Sequence, residues 1–210
     1  EGSYQGATAA SECTDASPGH FATTGSTQQT ACAKGSYTNE TRQGECTPCA
    51  GGTYQDAEAQ TACKPCEAGS YCAKGAAAPL PCEKGTFTNA TDLTAASECT
   101  DASPGTFATT GSTRQTACAK GSYAATAGLS ECEQCAGGTY QHEKGARGCL
   151  ACKKGSYCEP GASAPLPCVA GSYSTATNLT AAGECTDASP GHFATTGSTS
   201  APLPCDAGTY

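Results

Sequence analysis

Residues 46–54 read Cys46-Thr47-Pro48-Cys49-Ala50-Gly51-Gly52-Thr53-Tyr54: two cysteines three apart, a glycine three further on, then an aromatic. The glycine supplies a turn conformation that other residues resist, and the aromatic opens a short strand. A Thr/Ser/Gly/Ala-rich stretch then leads back to the next cysteine, so the unit reads as a small β-hairpin. Its beat, Gly-[Ser/Thr/His]-[Tyr/Phe], recurs at Gly2, Gly19, Gly35, Gly52, Gly69 and Gly85 and onwards to Gly208. The steps are 16 or 17 residues, with one of 20 in each larger repeat. A hairpin this small is marginal alone and needs its neighbours.

The larger repeat is 86 residues long. Cys13, Cys32, Cys46, Cys49, Cys63, Cys66, Cys72 and Cys82 return as Cys99, Cys118, Cys132, Cys135, Cys149, Cys152, Cys158 and Cys168, and a third copy begins at Cys185. Between Cys13 and Cys32 the first copy differs from the second only at His20/Thr106 and Gln28/Arg114. The expected organisation is therefore the end of a truncated repeat at 1–12, complete units at 13–98 and 99–184, and the start of a third at 185–210.

Composition leaves little with which to build a core. The chain of 210 residues has no Ile, Met or Trp, one Val (Val169), seven Leu and four Phe. So little apolar area cannot offset chain entropy, and something else must hold the fold. The 18 cysteines fill that role. A disulfide contributes about 2–4 kcal/mol, mainly by restricting the unfolded chain, and a series of them substitutes for a core. The fold class expected is a small disulfide-rich all-β protein, an elongated tandem array of short β-hairpin modules with little hydrophobic core.

The repeat also suggests which cysteines pair. Regular modules carry Cys-x2-Cys-x2-Gly, but in Cys99-Thr100-Asp101-Ala102-Ser103-Pro104-Gly105 the second cysteine is Ala102. Thirteen residues later, where a closing cysteine belongs, stands Gln115; the first unit repeats the double loss with Ala16 and Gln29. Loss in step implies partnership, so each cysteine is expected to close on one 14 to 17 residues later. That joins Cys32 with Cys46, Cys49 with Cys63, and Cys82 with Cys99. Cys66 and Cys72 are left for each other, because Pro79 occupies the usual closing position. The second unit follows as Cys118 with Cys132, Cys135 with Cys149, Cys152 with Cys158, and Cys168 with Cys185. Cys13 and Cys205 remain, as candidates for a disulfide to a further segment of the chain or to another subunit.

Other chemistries find weaker support in the sequence. Cys46, Cys49, Cys63 and Cys66 superficially have the spacing of a four-thiolate zinc site, but the secretory character and local duplication favour disulfides. His20 and His192 occupy equivalent positions, yet Thr106 stands there in the middle unit, and His142 is a singleton, so all three read as surface histidines. Asp15, Asp56, Asp101 and Asp187 are scattered, whereas calcium needs six to eight converging oxygens. No catalytic grouping, phosphate-cradling loop or metal set emerges, and neither a cofactor nor an enzymatic activity is expected. The aromatics are expected to cover the disulfides as a miniature core rather than to stack on sugars. Pro79-Leu80-Pro81, Pro165-Leu166-Pro167 and Pro202-Leu203-Pro204 read as stiff connectors.

The formal net charge of −8 without a Lys/Arg cluster argues against nucleic acid as a partner, and no run of 18 apolar residues is present to span a membrane. The sequence opens on Glu1 without a leader and reads as a mature or internal segment. Serial disulfides place it in an oxidising, secreted setting. All three asparagines agree: Asn39-Glu40-Thr41, Asn89-Ala90-Thr91 and Asn178-Leu179-Thr180 are each N-glycosylation acceptors. Thr23-Thr24-Gly25-Ser26-Thr27 and Ser174-Thr175-Ala176-Thr177 suit O-glycosylation. Covalent glycans are thus the only non-protein groups expected.

With Cys-x2-Cys-x2-Gly-[Ser/Thr]-[Tyr/Phe] as the recurring unit, the chain resembles the cysteine-rich EGF-like repeats of the ephrin-receptor-like type, found in extracellular regions of animal and protist proteins. The variant Cys66-Glu67-Ala68-Gly69-Ser70-Tyr71-Cys72, followed by Ala78-Pro79-Leu80-Pro81-Cys82, is similar to versions in algae and other protists, including proteins of mastigonemes, the glycosylated hairs of flagella. The resemblance implies a structural extracellular glycoprotein, a protomer of a rod or filament at the cell or flagellar surface. Its partners would be itself, flanking repeats of the same chain or other filament glycoproteins. The alternative is a ligand-binding or spacer ectodomain of an adhesion receptor.

Overall fold

The structure, a computed structural model, describes residues 1–8 and 11–209; Tyr210, the last aromatic of the beat, lies outside them. Among the described residues it is almost entirely β. There are twelve two-stranded sheets, each built from strands of two residues, and two single turns of 3-10 helix at Ala96–Glu98 and Ala182–Glu184. The chain divides into two compact units, one of Glu1–Thr100 with Thr110–Arg114 and one of Asp101–Thr109 with Gln115–Tyr210.

In the first unit, His20–Phe21 pairs antiparallel with Thr30–Ala31, Ser36–Tyr37 with Thr47–Pro48, Thr53–Tyr54 with Lys64–Pro65, and Ser70–Tyr71 with Leu80–Pro81. In the second, Thr106–Phe107 pairs with Thr116–Ala117, Ser122–Tyr123 with Glu133–Gln134, Thr139–Tyr140 with Leu150–Ala151, and Ser156–Tyr157 with Leu166–Pro167. The glycine of each beat therefore sits at the entry to a first strand, and Cys-x2-Cys brackets a second strand. The proline of Thr47–Pro48 is accommodated because a two-stranded sheet consists only of edges.

Such hairpins are held by their successors. Within the first unit, Gly19 N–H donates to Thr38 O (2.8 Å) and Ala22 N–H to Gln43 O (3.0 Å), both in the next hairpin. Gly35 and Thr38 repeat this toward Gln55 and Gln60. A further bond reaches two hairpins back: Ala59 N–H donates to Cys32 O (2.9 Å), and Gly75 N–H to Cys49 O (2.8 Å). The second unit repeats the scheme, with Gly121 donating to Gln141, Gly145 to Cys118 and Gly161 to Cys135. Each module is thus tied to the next and to the one after, an arrangement in which stability accumulates along the sequence rather than around one centre.

The two-on contact explains the invariant glycine of the beat. A Cβ on Gly35 would lie 2.2 Å from Gly75 O, and one on Gly19 would lie 2.3 Å from Ala59 O. Only a residue without a side chain lets the backbones approach so closely. At the tips, the left-handed residue that donates this bond is usually glycine, but Arg42, Ala59, Asp92 and Asn178 adopt it with φ of 57–63°.

The buried side chains form two columns. One is the position before each turn: Ala16, Cys32, Cys49, Cys66, Ala102, Cys118, Cys135 and Cys152 are all fully buried. The other is the residue after each aromatic, namely Ala22, Thr38, Gln55, Cys72, Thr88, Ala108, Ala124, Gln141, Cys158 and Ser174. The aromatics themselves are mostly only half-buried, Tyr140 being a buried exception packed with Cys152 and Cys158. Tyr140 thus covers a disulfide as expected, while the most fully buried positions are the neighbouring ones. Successive residues of a strand face opposite sides, so the residue after the aromatic points inward, where close backbones leave room chiefly for small side chains.

Candidate functional site

The cysteine ladder is the dominant chemistry of the chain. Disulfides join Cys32–Cys46, Cys49–Cys63, Cys66–Cys72 and Cys82–Cys99, and then Cys118–Cys132, Cys135–Cys149, Cys152–Cys158 and Cys168–Cys185. Cα–Cα distances of 5.7–6.0 Å suit unforced bridges. An opening cysteine follows the second strand of one hairpin, and its partner precedes the second strand of the next or, in Cys66–Cys72 and Cys152–Cys158, follows its first strand, so the bond staples consecutive hairpins. Cys46 and Cys49, one at each end of strand Thr47–Pro48, differ by three positions and face opposite sides, which separates their sulfurs instead of converging them on a metal. In the short bridges, Cys66–Cys72 and Cys152–Cys158, the bond crosses directly between the two buried columns.

In the first two copies, where the pair is missing, a glutamine takes its place. Gln115 Oε1 accepts from Ser103 N–H (2.7 Å) and shares the single proton of the Thr106 hydroxyl (2.9 Å) with Ser103 O (2.7 Å). In the first unit Gln29 Oε1 accepts from Ser17 N–H (2.9 Å) and the Ser17 hydroxyl (3.0 Å). The amide side chain closes the loop without a covalent bond, a role that the in-step loss of cysteine signals only as a gap. Two further glutamines escaped the sequence reading: Gln55 and Gln141 are buried and donate to Ala62 O and Gly148 O, each at 2.7 Å, across their own loops.

Cys13 and Cys205 are free among the described residues. They are of complementary type. Cys13 stands before strand Thr14–Asp15, as closing cysteines do, and Cys205 follows strand Leu203–Pro204, as opening cysteines do.

The three acceptor asparagines are exposed, in two settings. Asn39 and Asn89 follow the buried residues Thr38 and Thr88 on the outgoing limb of their hairpins. Asn39 also lines a cavity of about 380 Å³ with Tyr37, Thr53 and Thr61. Asn178 instead forms a tip: φ is 63°, its N–H donates to Cys152 O (2.9 Å), and the next residue, Leu179, is buried. Thr180 of that sequon is latched to Glu184, which accepts from its hydroxyl and from its N–H (3.1 Å). The hydroxyl bond holds the Glu184 carboxyl below its ordinary value.

Remaining polar groups form local pairs. Lys64 donates to Asp56 at 2.6 Å, which lowers the carboxyl and raises the amine. Glu133, opposite Tyr123 in the strand pair, accepts from it and raises its phenol. Asp15 pairs with Arg42 at 3.4 Å. His142 lies beside Tyr140, while His20 and His192 each approach a carbonyl two residues back, so the histidines are not brought together. No group of three or more His, Cys, Asp or Glu is placed to hold a metal ion among the described residues. No helix among them is long and apolar enough to cross a membrane.

Two segments, residues 35–79 and 105–148, match the family described as tyrosine-protein kinase ephrin type A/B receptor-like. These two segments, together less than half of the chain, are similar to ephrin-receptor-like cysteine-rich repeats. The matched segments contain Cys46-x2-Cys49, Cys63-x2-Cys66 and Cys132-x2-Cys135, with the Cys49–Cys63, Cys66–Cys72 and Cys118–Cys132 bridges. No curated protein sequence matches the chain. Eight disulfides among the described residues place the chain in an oxidising, extracellular or secreted setting.

Proposed function

We propose that the chain is a structural extracellular glycoprotein, a protomer of a rod or filament of the mastigoneme type, and that it acts without catalysis or cofactor. The observation that carries this reading is the bonding scheme: within each unit most modules are stapled to the next by sulfur or glutamine and hydrogen-bonded to the modules that follow. A chain so tied resists extension and proteolysis, because opening one module exposes little that its neighbours do not still hold. The near-identity of Cys13–Cys32 and Cys99–Cys118 supports the same reading, since recognition calls for a unit that differs. N-glycans on Asn39, Asn89 and Asn178, with O-glycans on the Ser/Thr tips, would coat the surface. Cys13 and Cys205, of closing and opening type, suit a junction to a further segment or a second subunit.

The match to ephrin-receptor-like repeats favours a second reading, a spacer or ligand-binding ectodomain of an adhesion receptor. Electron microscopy of the native, unreduced protein separates the two. Uniform fibres with a regular subunit repeat support the filament protomer; isolated molecules or membrane-attached stalks support the receptor spacer.

A further inference from the structure

We infer that the cavity beside Asn39 is the seat of the first sugar of the glycan carried by that residue. The inference rests on the proposed modification of Asn39 and adds where the sugar lies. The cavity is about 380 Å³, at the small end of the ~300–1,000 Å³ range of ligand sites, and Asn39 itself forms part of its wall. A sugar joined to the Asn39 amide thus starts at the cavity and has no separate binding step to make, because its tether supplies the local concentration.

The remaining wall has the mixed character that a pyranose needs. Tyr37, half-buried, offers a ring surface for the C–H face of the sugar, and Ala62 adds apolar area suited to an acetamido methyl. Thr53 and Thr61 supply hydroxyls; the Thr53 hydroxyl donates to Ala50 O (2.8 Å), which leaves its oxygen as an acceptor for a sugar hydroxyl. The chemistry points to the reducing-end N-acetylglucosamine, the amphipathic sugar that an asparagine linkage places nearest the protein.

The second 86-residue unit provides an internal comparison. The scaffold is retained, with Tyr123, Ala136, Thr139 and Cys149 where the first unit has Tyr37, Ala50, Thr53 and Cys63. The residues that differ are Ala125, Arg147 and Gly148 in place of Asn39, Thr61 and Ala62. Where the acceptor asparagine is absent, the hydroxyl and the methyl that would face its sugar are absent as well, and a long cation stands in their place.

The test uses the full chain secreted, unreduced, from eukaryotic cells that attach N-glycans. Peptide mass spectrometry measures occupancy of Asn39, and a peptide-N-glycosidase is then applied to the native protein and to the double variant Thr61→Arg, Ala62→Gly. That variant carries residues that the second unit accommodates at the same positions. Glycan release at Asn39 is expected to be about tenfold faster in the variant, equivalent to loss of about 1.4 kcal/mol of seating, while release at Asn89 is the same in both. NMR is expected to show contacts between the acetyl methyl and the Tyr37 ring in the native protein and not in the variant. An occupied Asn39 released equally fast in both, without Tyr37 contacts, overturns the seat and leaves the glycoprotein reading standing. An unoccupied Asn39 overturns both at that residue.

Discussion

Installing the missing bridge with Ala102→Cys and Gln115→Cys tests whether glutamine really stands in for a disulfide. The new loop spans about 14 residues, for which chain entropy gives about 3 kcal/mol of stabilisation. The change removes the bond from Ser103 N–H to Gln115, worth about 1 kcal/mol, and part of a second from Thr106, whose hydroxyl keeps Ser103 O as an acceptor. Ser103 is exposed, so water recovers part of that loss. The net expectation is a gain of about 1–2 kcal/mol, confined to the Gly105 hairpin. Native-state hydrogen exchange reads this locally, because Gly105 N–H is bonded to Ala124 O and Cys118 N–H to Gly105 O. A gain of that size slows exchange at both amides roughly 5–30-fold. If the two cysteines persist as free thiols in oxidised protein, or if exchange accelerates, Gln115 does not occupy a disulfide's place and the argument from paired loss fails.

Glycines of the two kinds are expected to respond differently to alanine. Gly25→Ala meets nothing within 4 Å and pays only for its φ of 80°, about 1–2 kcal/mol, whereas Gly35→Ala drives a Cβ to 2.2 Å from Gly75 O and is expected to cost well over that, measured by chemical denaturation or secretion yield. Ala59→Gly relieves a left-handed alanine at φ 57°, and after the greater freedom of glycine in the unfolded chain a gain of a few tenths to about 1 kcal/mol remains, read as a raised midpoint. Glu184 has a folded-state pKa below its ordinary 4.5, so its contribution is present above that value and is lost as pH falls through the depressed one. Carboxyl NMR titration is expected to show the low value, and Thr180→Ala to return it toward 4.5 while loosening the Asn178 tip.

The parts of the fold that repeat were legible and the parts that depend on packing were not. The beat of glycine and aromatic marks each hairpin because a left-handed turn and a strand start are local properties, and the scarcity of Leu, Ile, Val and Phe leaves cysteine as the structural resource. Ala102 and Gln115 disclosed a missing pair, but not that the amide oxygen of Gln115 would replace it, since many polar residues could fill such a gap. The aromatics are less buried than their size suggests, because the residue after each faces inward instead, as Ala, Cys, Thr, Ser or, at Gln55 and Gln141, a glutamine bonded across its own loop. Nothing in Arg42, Ala59, Asp92 or Asn178 announces a left-handed tip; the sequence signal lies in the glycines, such as Gly75 and Gly161, at corresponding positions of other modules. The cavity at Asn39 depends on two successive hairpins meeting, which no single motif contains.

The central claim is that serial sulfur bridges take the place of a core, and disulfide mapping of the native protein tests it most directly. Digestion without reduction, followed by mass spectrometry, is expected to recover Cys32 bonded to Cys46, Cys49 to Cys63, Cys66 to Cys72 and Cys82 to Cys99, with the same pattern from Cys118 to Cys185. Recovery of Cys46 bonded to Cys49, or of free thiols at Cys46, Cys49, Cys63 and Cys66 together, would contradict the account and return the zinc reading to consideration.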